Sequence, residues 1–196
     1  DALLELAPRT PRWVIDRAAA MRDLESRSAR REYLFAHSDS KDSDLLNAIA
    51  EELRHEGRTL ETAARLLRKS IRLRPQSAFA LHVLADLEAT RHGDPAATLE
   101  LYRFASRLDP FDEHFAQAYF DFARLLGRGE EALAWLVQRV EEARGRSALP
   151  ARTLYAVCCD TGAPERGLAT LLDCAEKRSD DAALALVIAG AHLDLG

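Results

Sequence analysis

One stretch of the chain can be laid on another. Glu61–Pro75, ETAARLLRKSIRLRP, aligns with Ala96–Pro110, AATLELYRFASRLDP, at a constant shift of 35 residues. Leu66 falls on Leu101, Leu67 on Tyr102, Ser70 on Ala105, Leu73 on Leu108 and Pro75 on Pro110. A period of roughly 20–50 residues marks an array whose units bury their faces only against neighbours. Within each copy the apolar residues recur at three- and four-residue steps, the helical period. Each copy ends at a proline, which cannot donate the next helical hydrogen bond and pushes the preceding residue out of the helix.

The same reading extends along the chain. Apolar steps, glycines and prolines predict helices over 13–26, 28–36, 44–55, 60–73, 79–91, 96–108 and 113–126. Four more follow over 130–142, 151–160, 165–177 and from a Ser179–Asp180 cap to about 195. The polar stretch His37–Asp44 is a loop whose Ser and Asp residues can cap the next helix. No run of residues alternates as a strand does. The result is an all-α chain of about five antiparallel helix hairpins.

This spacing resembles the tetratricopeptide repeat, whose unit is a helix pair of ~34 residues. The second helix of that unit carries alanine, a large residue, alanine and then proline. Ala63, Leu67, Ser70 and Pro75 match these positions, with serine for one alanine. Thr98, Tyr102, Ala105 and Pro110 match again, with threonine as the departure. Leu46, Ile49 and Ala50, then Leu81, Leu84 and Ala85, supply the large, large and small positions of the preceding helices. Ala132 with Leu136, and Gly167 with Leu171 and Cys174, continue the pattern more loosely, as do Trp13, Ala29, Tyr33 and Ala36 before it. The resemblance implies an α-solenoid, a right-handed superhelix forming a single domain over 1–196. Its approximate repeats are 10–43, 44–77, 78–112, 113–146, 150–179 and a partial one at 181–196.

Composition narrows the function. A net charge of −5 offers no general attraction to a phosphate backbone, which argues against nucleic acid. No apolar run reaches the ~20 residues of a membrane span, and no signal peptide opens the chain. Cys158, Cys159 and Cys174 form no disulfide framework, which favours a reducing, cytoplasmic setting. Of 27 basic residues only Lys41, Lys69 and Lys177 are lysine, a coding habit of GC-rich, bacterial genomes. The chain starts at Asp1 and stops within an apolar helical pattern, and so reads as a piece of something longer.

Chemistry is hard to find. The six histidines lack metal-ligand spacing, and no phosphate loop or activated nucleophile is present. The cysteines read as small buried residues at a helix contact. Acidic pairs such as Glu51-Glu52 and Glu130-Glu131 read as partners of helix dipoles and of arginines one turn away. The aromatic series Phe111, Phe115, Tyr119, Phe120 and Phe122 reads as packing between repeats. No catalytic residue, cofactor or metal is expected. Under the resemblance, first helices line a concave groove, where Asn47, Glu51, Arg54, His55, His82 and Asp86 are the candidate contacts for a protein or peptide partner. Some members clamp a chaperone's C-terminal carboxylate. The corresponding positions here are Asn47, Glu51 and Val83, and Glu51 would repel it. The function expected is a non-enzymatic interaction scaffold; the alternative is the helical-repeat region of a larger enzyme or of a secretion or assembly component.

Overall fold

The computed structural model describes residues 10–24, 26–55, 57–143, 146–177 and 180–196. These form helices α1 (Pro11–Leu24), α2 (Arg27–Phe35), α3 (Ser43–Leu53), α4 (Leu60–Leu73), α5 (Ala78–Thr90) and α6 (Pro95–Leu108). Then come α7 (Glu113–Leu125), α8 (Gly129–Ala143), α9 (Leu149–Asp160), α10 (Pro164–Glu176) and α11 (Ala182–Leu195). A 3₁₀ turn, Gly57–Thr59, precedes α4. No strand occurs among the described residues. The prolines that open α1, α6 and α10 occupy first-turn positions, where no helical partner awaits an N–H.

Capping and turn chemistry set the ends. Asp42, Ser77, Asp112 and Asp181 each accept a backbone N–H from the first turn of α3, α5, α7 and α11. Such a cap contributes about 1 kcal/mol. For α11 the cap is Asp181, one residue beyond the expected pair: its carboxylate reaches Leu184 N at 3.0 Å. Ser179 of that pair lies outside the described residues, as do Pro8 and part of the 144–149 connection.

Helices α5, α7 and α9 end alike. His92, Gly127 and Gly162 take left-handed backbone, with φ of 55°, 73° and 74°. The next N–H then turns back to the helix: Gly93 N to Glu88 O, Arg128 N to Ala123 O and Ala163 N to Cys158 O, all 2.8 Å. This closes the carbonyls that a helix end leaves open. Glycine takes such a backbone without strain, and histidine is among the few other residues found there.

The chain divides into two compact units, one up to Leu101 and one from Tyr102, with the boundary inside α6. In the first, α3 and α4 form the central hairpin. Leu46, Ile49, Ala50, Ala63 and Leu67 are fully buried there, joined by Val14 and Ala18 of α1 and Val83 of α5. Alanines at 50 and 63 let the two backbones approach, and each buried large aliphatic contributes roughly 1.5–3 kcal/mol. Where threonine replaces alanine at position 98, the side chain is 1% exposed. Its hydroxyl donates to Asp94 O at 2.8 Å, so the departure leaves no polar group stranded.

In the second unit α7 packs on α8, α8 and α10 on α9, and α11 on α10. Phe115, Tyr119 and Phe120 are buried, and Trp135 meets Tyr119 edge-on at 5.1 Å. Phe111 differs: it is 75% exposed.

Candidate protein-interaction site

The six candidate residues do not share one environment. Asn47 is inside. It is 6% exposed, and its carbonyl accepts from Ser70 Oγ at 2.7 Å while its amide nitrogen lies 3.5 Å from Ser77 Oγ. Ser70 Oγ also lies within 3.2 Å of Ser43 O and 2.9 Å of Ser43 Oγ. Asn47 thus ties α3 to α4 and to the cap of α5, and its polar valence is spent within the unit. His55 lies past the last turn of α3 and is exposed.

Glu51, Arg54, His82 and Asp86 are brought together. Arg54 is the C-cap residue of α3, where a cation suits the helix's negative end. Its Nε reaches Glu51 Oε2 at 2.9 Å, one turn back, and its Nη1 donates to Asp86 Oδ2 at 3.0 Å on α5. The Glu51, Arg54 and Asp86 side chains are 37%, 29% and 31% exposed, while the paired atoms Glu51 Oε2 and Arg54 Nε are themselves buried. His82 lies beneath them, 7% exposed, with Nε2 3.6 Å from Asp86 Oδ2. Two carboxylates share one guanidinium here, leaving a surface of net negative character with a rigid cation in its middle.

The second unit contains a hollow that the sequence reading did not find. Its volume is ≈ 200 Å³, with Pro110, Phe111, Leu149 and Pro150 among its lining and Arg139 at its charged side. Arg139 is 6% exposed and fully engaged. Its two terminal nitrogens donate to the Glu113 carboxylate at 2.7 and 2.8 Å, and one also to Pro110 O at 2.7 Å. The Trp135 ring lies one turn back, 5.2 Å from the guanidinium carbon. The signal for a buried arginine was present, since Arg139 falls on the apolar stripe Ala132–Leu136–Val140.

Nothing in the thiols suggests reactivity. Cys158 and Cys174 are buried and Cys159 is exposed. Burial pushes the Cys158 thiol above its ordinary value, with Arg166 opposing and Cys159 and Glu130 adding to the shift. Among the described residues no group of three or more His, Cys, Asp or Glu side chains is placed to hold a metal, and no helix is long and apolar enough to cross a membrane.

The acidic pairs act at two ranges: Glu51 meets Arg54 and Glu131 meets Arg128 within one turn, and their neighbours reach across to other helices. Glu52 pairs with Arg30 of α2, and both are nearly buried. Glu130 takes Arg166 of α10 in two bonds of 2.8 and 2.5 Å, and Glu141 takes Lys177 at 3.4 Å. These last two partners lie 36 residues ahead, close to one repeat.

Helix pairs built on small–large–small positions, with charged side chains presented by successive first helices, define a helical-repeat protein. Solved structures agree. A thermophilic TPR protein from Thermus thermophilus, TTC0263, matches with a TM-score of 0.55 at 17% identity, over 94% of this chain and 100% of that one. The MamA protein matches at 0.57 and 13% identity, over 88% and 93%. A MamA fragment from Desulfovibrio magneticus RS-1 matches at 0.53 and 15% identity, over 89% and 99%. The fold is that of the tetratricopeptide repeat. No protein-family model matches the chain, and no curated protein does.

Proposed function

We propose that this protein is a non-catalytic interaction scaffold that takes a peptide or a partner's segment in a groove lined by its first helices. The observation that supports this is the partly exposed Glu51–Arg54–Asp86 cluster, where the end of α3 meets α5. It sets two carboxylates and one guanidinium on two successive first helices. Affinity in such arrays comes from many modest contacts along successive helices. Net negative character selects a segment carrying lysine or arginine and disfavours one that ends in a free carboxylate. His55 stands at the edge of this surface, His82 supports Asp86 from below, and Asn47 fixes the helices that carry it.

An immobilised peptide array probed with the wild-type chain and with Glu51→Arg tests the reading. Glu51 lies on the surface, so the variant keeps its helical circular dichroism. The expected binders are basic and weaken as salt rises, because the contacts are solvent-exposed charges. They are lost with Glu51→Arg. Binders that ignore the substitution, or an array without binders, would reject this site.

A further inference from the structure

The outer face of α4 gathers positive charge that the repeat does not require. Residues 58–74 hold six cations and one carboxylate, in a chain whose net charge is −5. Arg65, Lys69 and Arg72 follow one another at four- and three-residue steps. On a helix these steps place them within an arc of about 60° and along about 10 Å of the axis. Arg65 and Arg72 are exposed and Lys69 is half-buried. Among the described residues no carboxylate pairs with any of them. Lys69 Nζ reaches the Ser38 carbonyl at 3.4 Å. The carboxylates that meet this segment are taken by other arginines: Glu61 and Glu88 by Arg68 and Arg91, and Asp44 by Arg74.

The other second helices show that the fold makes no demand for cations there. Counted along the repeat, Arg65, Lys69 and Arg72 become Glu100, Phe104 and Arg107 in α6, then Ala134, Gln138 and Glu141 in α8. In α10 they become Ala169, Asp173 and Glu176. Like charges one turn apart destabilise a helix, so the row in α4 works against its own element. An anion laid along it removes that repulsion. We propose that this face of α4 docks an acidic segment of a partner protein, its carboxylates set against Arg65, Lys69 and Arg72. Charge complementarity selects an anion, and the shortness of the row selects its kind. Recruitment to a membrane by charge takes clusters of roughly 4–8 basic residues, more than this row supplies. A nucleic acid would meet the chain's net negative charge beyond it, and the row is short beside the roughly 6–10 phosphate contacts of a duplex-binding protein. A run of aspartate or glutamate asks for no more than the row offers, and the arginine fork fits a carboxylate in two parallel bonds. This site lies on a second helix and selects the opposite charge from the Glu51–Arg54–Asp86 cluster, so it stands independently of the groove.

Fluorescence anisotropy of a labelled peptide of alternating glutamate and serine, titrated with the 196-residue chain, tests this. Binding is expected at low salt and should weaken as salt rises past about 0.1 M, where the screening length falls to about 10 Å. Arg65→Glu combined with Arg72→Glu should weaken it about tenfold or more. Glutamate at 65 stands one turn before Lys69, a favourable helical pair, so circular dichroism should show that this variant keeps its helices. Arg124→Glu combined with Arg152→Glu removes the same charge from exposed positions of α7 and α9 and should leave the affinity nearly unchanged. Glu51→Arg should not weaken the peptide, so failure here and failure of the groove reading are told apart. Equal losses in the two double variants would show that net charge alone holds the peptide, and would overturn the proposal. So would a peptide that does not bind, or one that a DNA duplex or phosphatidylserine vesicles outbind in the same assay.

Discussion

The hairpins α3/α4 and α7/α8 use the same repeat position for opposite chemistry. In the first, Ser70 occupies it; in the second, two repeat steps on, Arg139 does. Each reaches back to the start of its own first helix. Ser70 holds Asn47 and the backbone of Ser43 through neutral hydrogen bonds. Arg139 holds Glu113 and the Pro110 carbonyl through charged ones. Ala105 and Cys174 stand at the position in the neighbouring hairpins. The position tolerates size and charge only when a partner comes with them. An unpaired polar group there would keep its desolvation cost with nothing to offset it.

The contrast predicts unequal consequences. Arg139→Ala removes one side of a nearly buried ion pair and should lower stability by about 3 kcal/mol, the low end of the range for such breaks, because Glu113 keeps 18% of its side chain exposed. Urea unfolding followed by Trp135 in a Trp13→Phe background reads the second unit alone. Converting both partners, as Arg139→Met with Glu113→Gln, should recover most of the loss. If the double variant is as weak as the single one, the guanidinium matters for its packing on Trp135 and not for its charge.

Ser70→Ala is the milder break. It restores the residue that the repeat pattern favours, yet strands the Asn47 carbonyl, for an expected loss of about 1–2 kcal/mol read by Trp13. Adding Asn47→Leu should bring stability back toward wild type. A Ser70→Ala variant as stable as the parent would show that the latch is incidental and that the small side chain alone is required.

The smallest effect belongs to the surface. Hydrogen bonds from Arg166 hold the Glu130 carboxyl below its ordinary value of 4.5, with desolvation opposing and the charge of Arg166 adding. A lowered folded value means stability that is present above that ordinary value and lost as pH falls through the folded one. Glu130→Gln should therefore flatten the acid limb of the stability profile slightly and leave neutral stability almost unchanged. A clear loss at neutral pH would place this exposed pair in the class of the Arg139 latch.

Much of the fold was legible because it rests on local rules. The 35-residue shift, the prolines and the small positions set α4 at Leu60–Leu73, the span expected for it. Pairings one hairpin apart were not legible. Asn47 looked like a groove residue because a lone polar group on a first helix reads as wet. Its partner Ser70 is 23 residues away, and only packing brings them together. Glu52 and Glu130 looked like partners for arginines on their own helices and instead reach across to Arg30 and Arg166. Of the candidate site, the sequence named Glu51, Arg54 and Asp86 individually. That Arg54 stands between the two acids is a fact about how the end of α3 meets α5.

The reach of these bonds has a consequence for how the protein is made. Of the hydrogen bonds named here between helices, the longest joins residues 36 apart in a chain of 196. Synthesis proceeds at roughly 5–20 residues per second, so such a partner follows within about 2–7 seconds of the residue awaiting it. Each hairpin can close soon after it clears the ribosome, with no wait for the distant end of the chain. Contacts this local also favour fast folding, because little loop entropy must be lost before the first pair forms. The repeat that organises the finished molecule is in this sense also a timetable for its assembly.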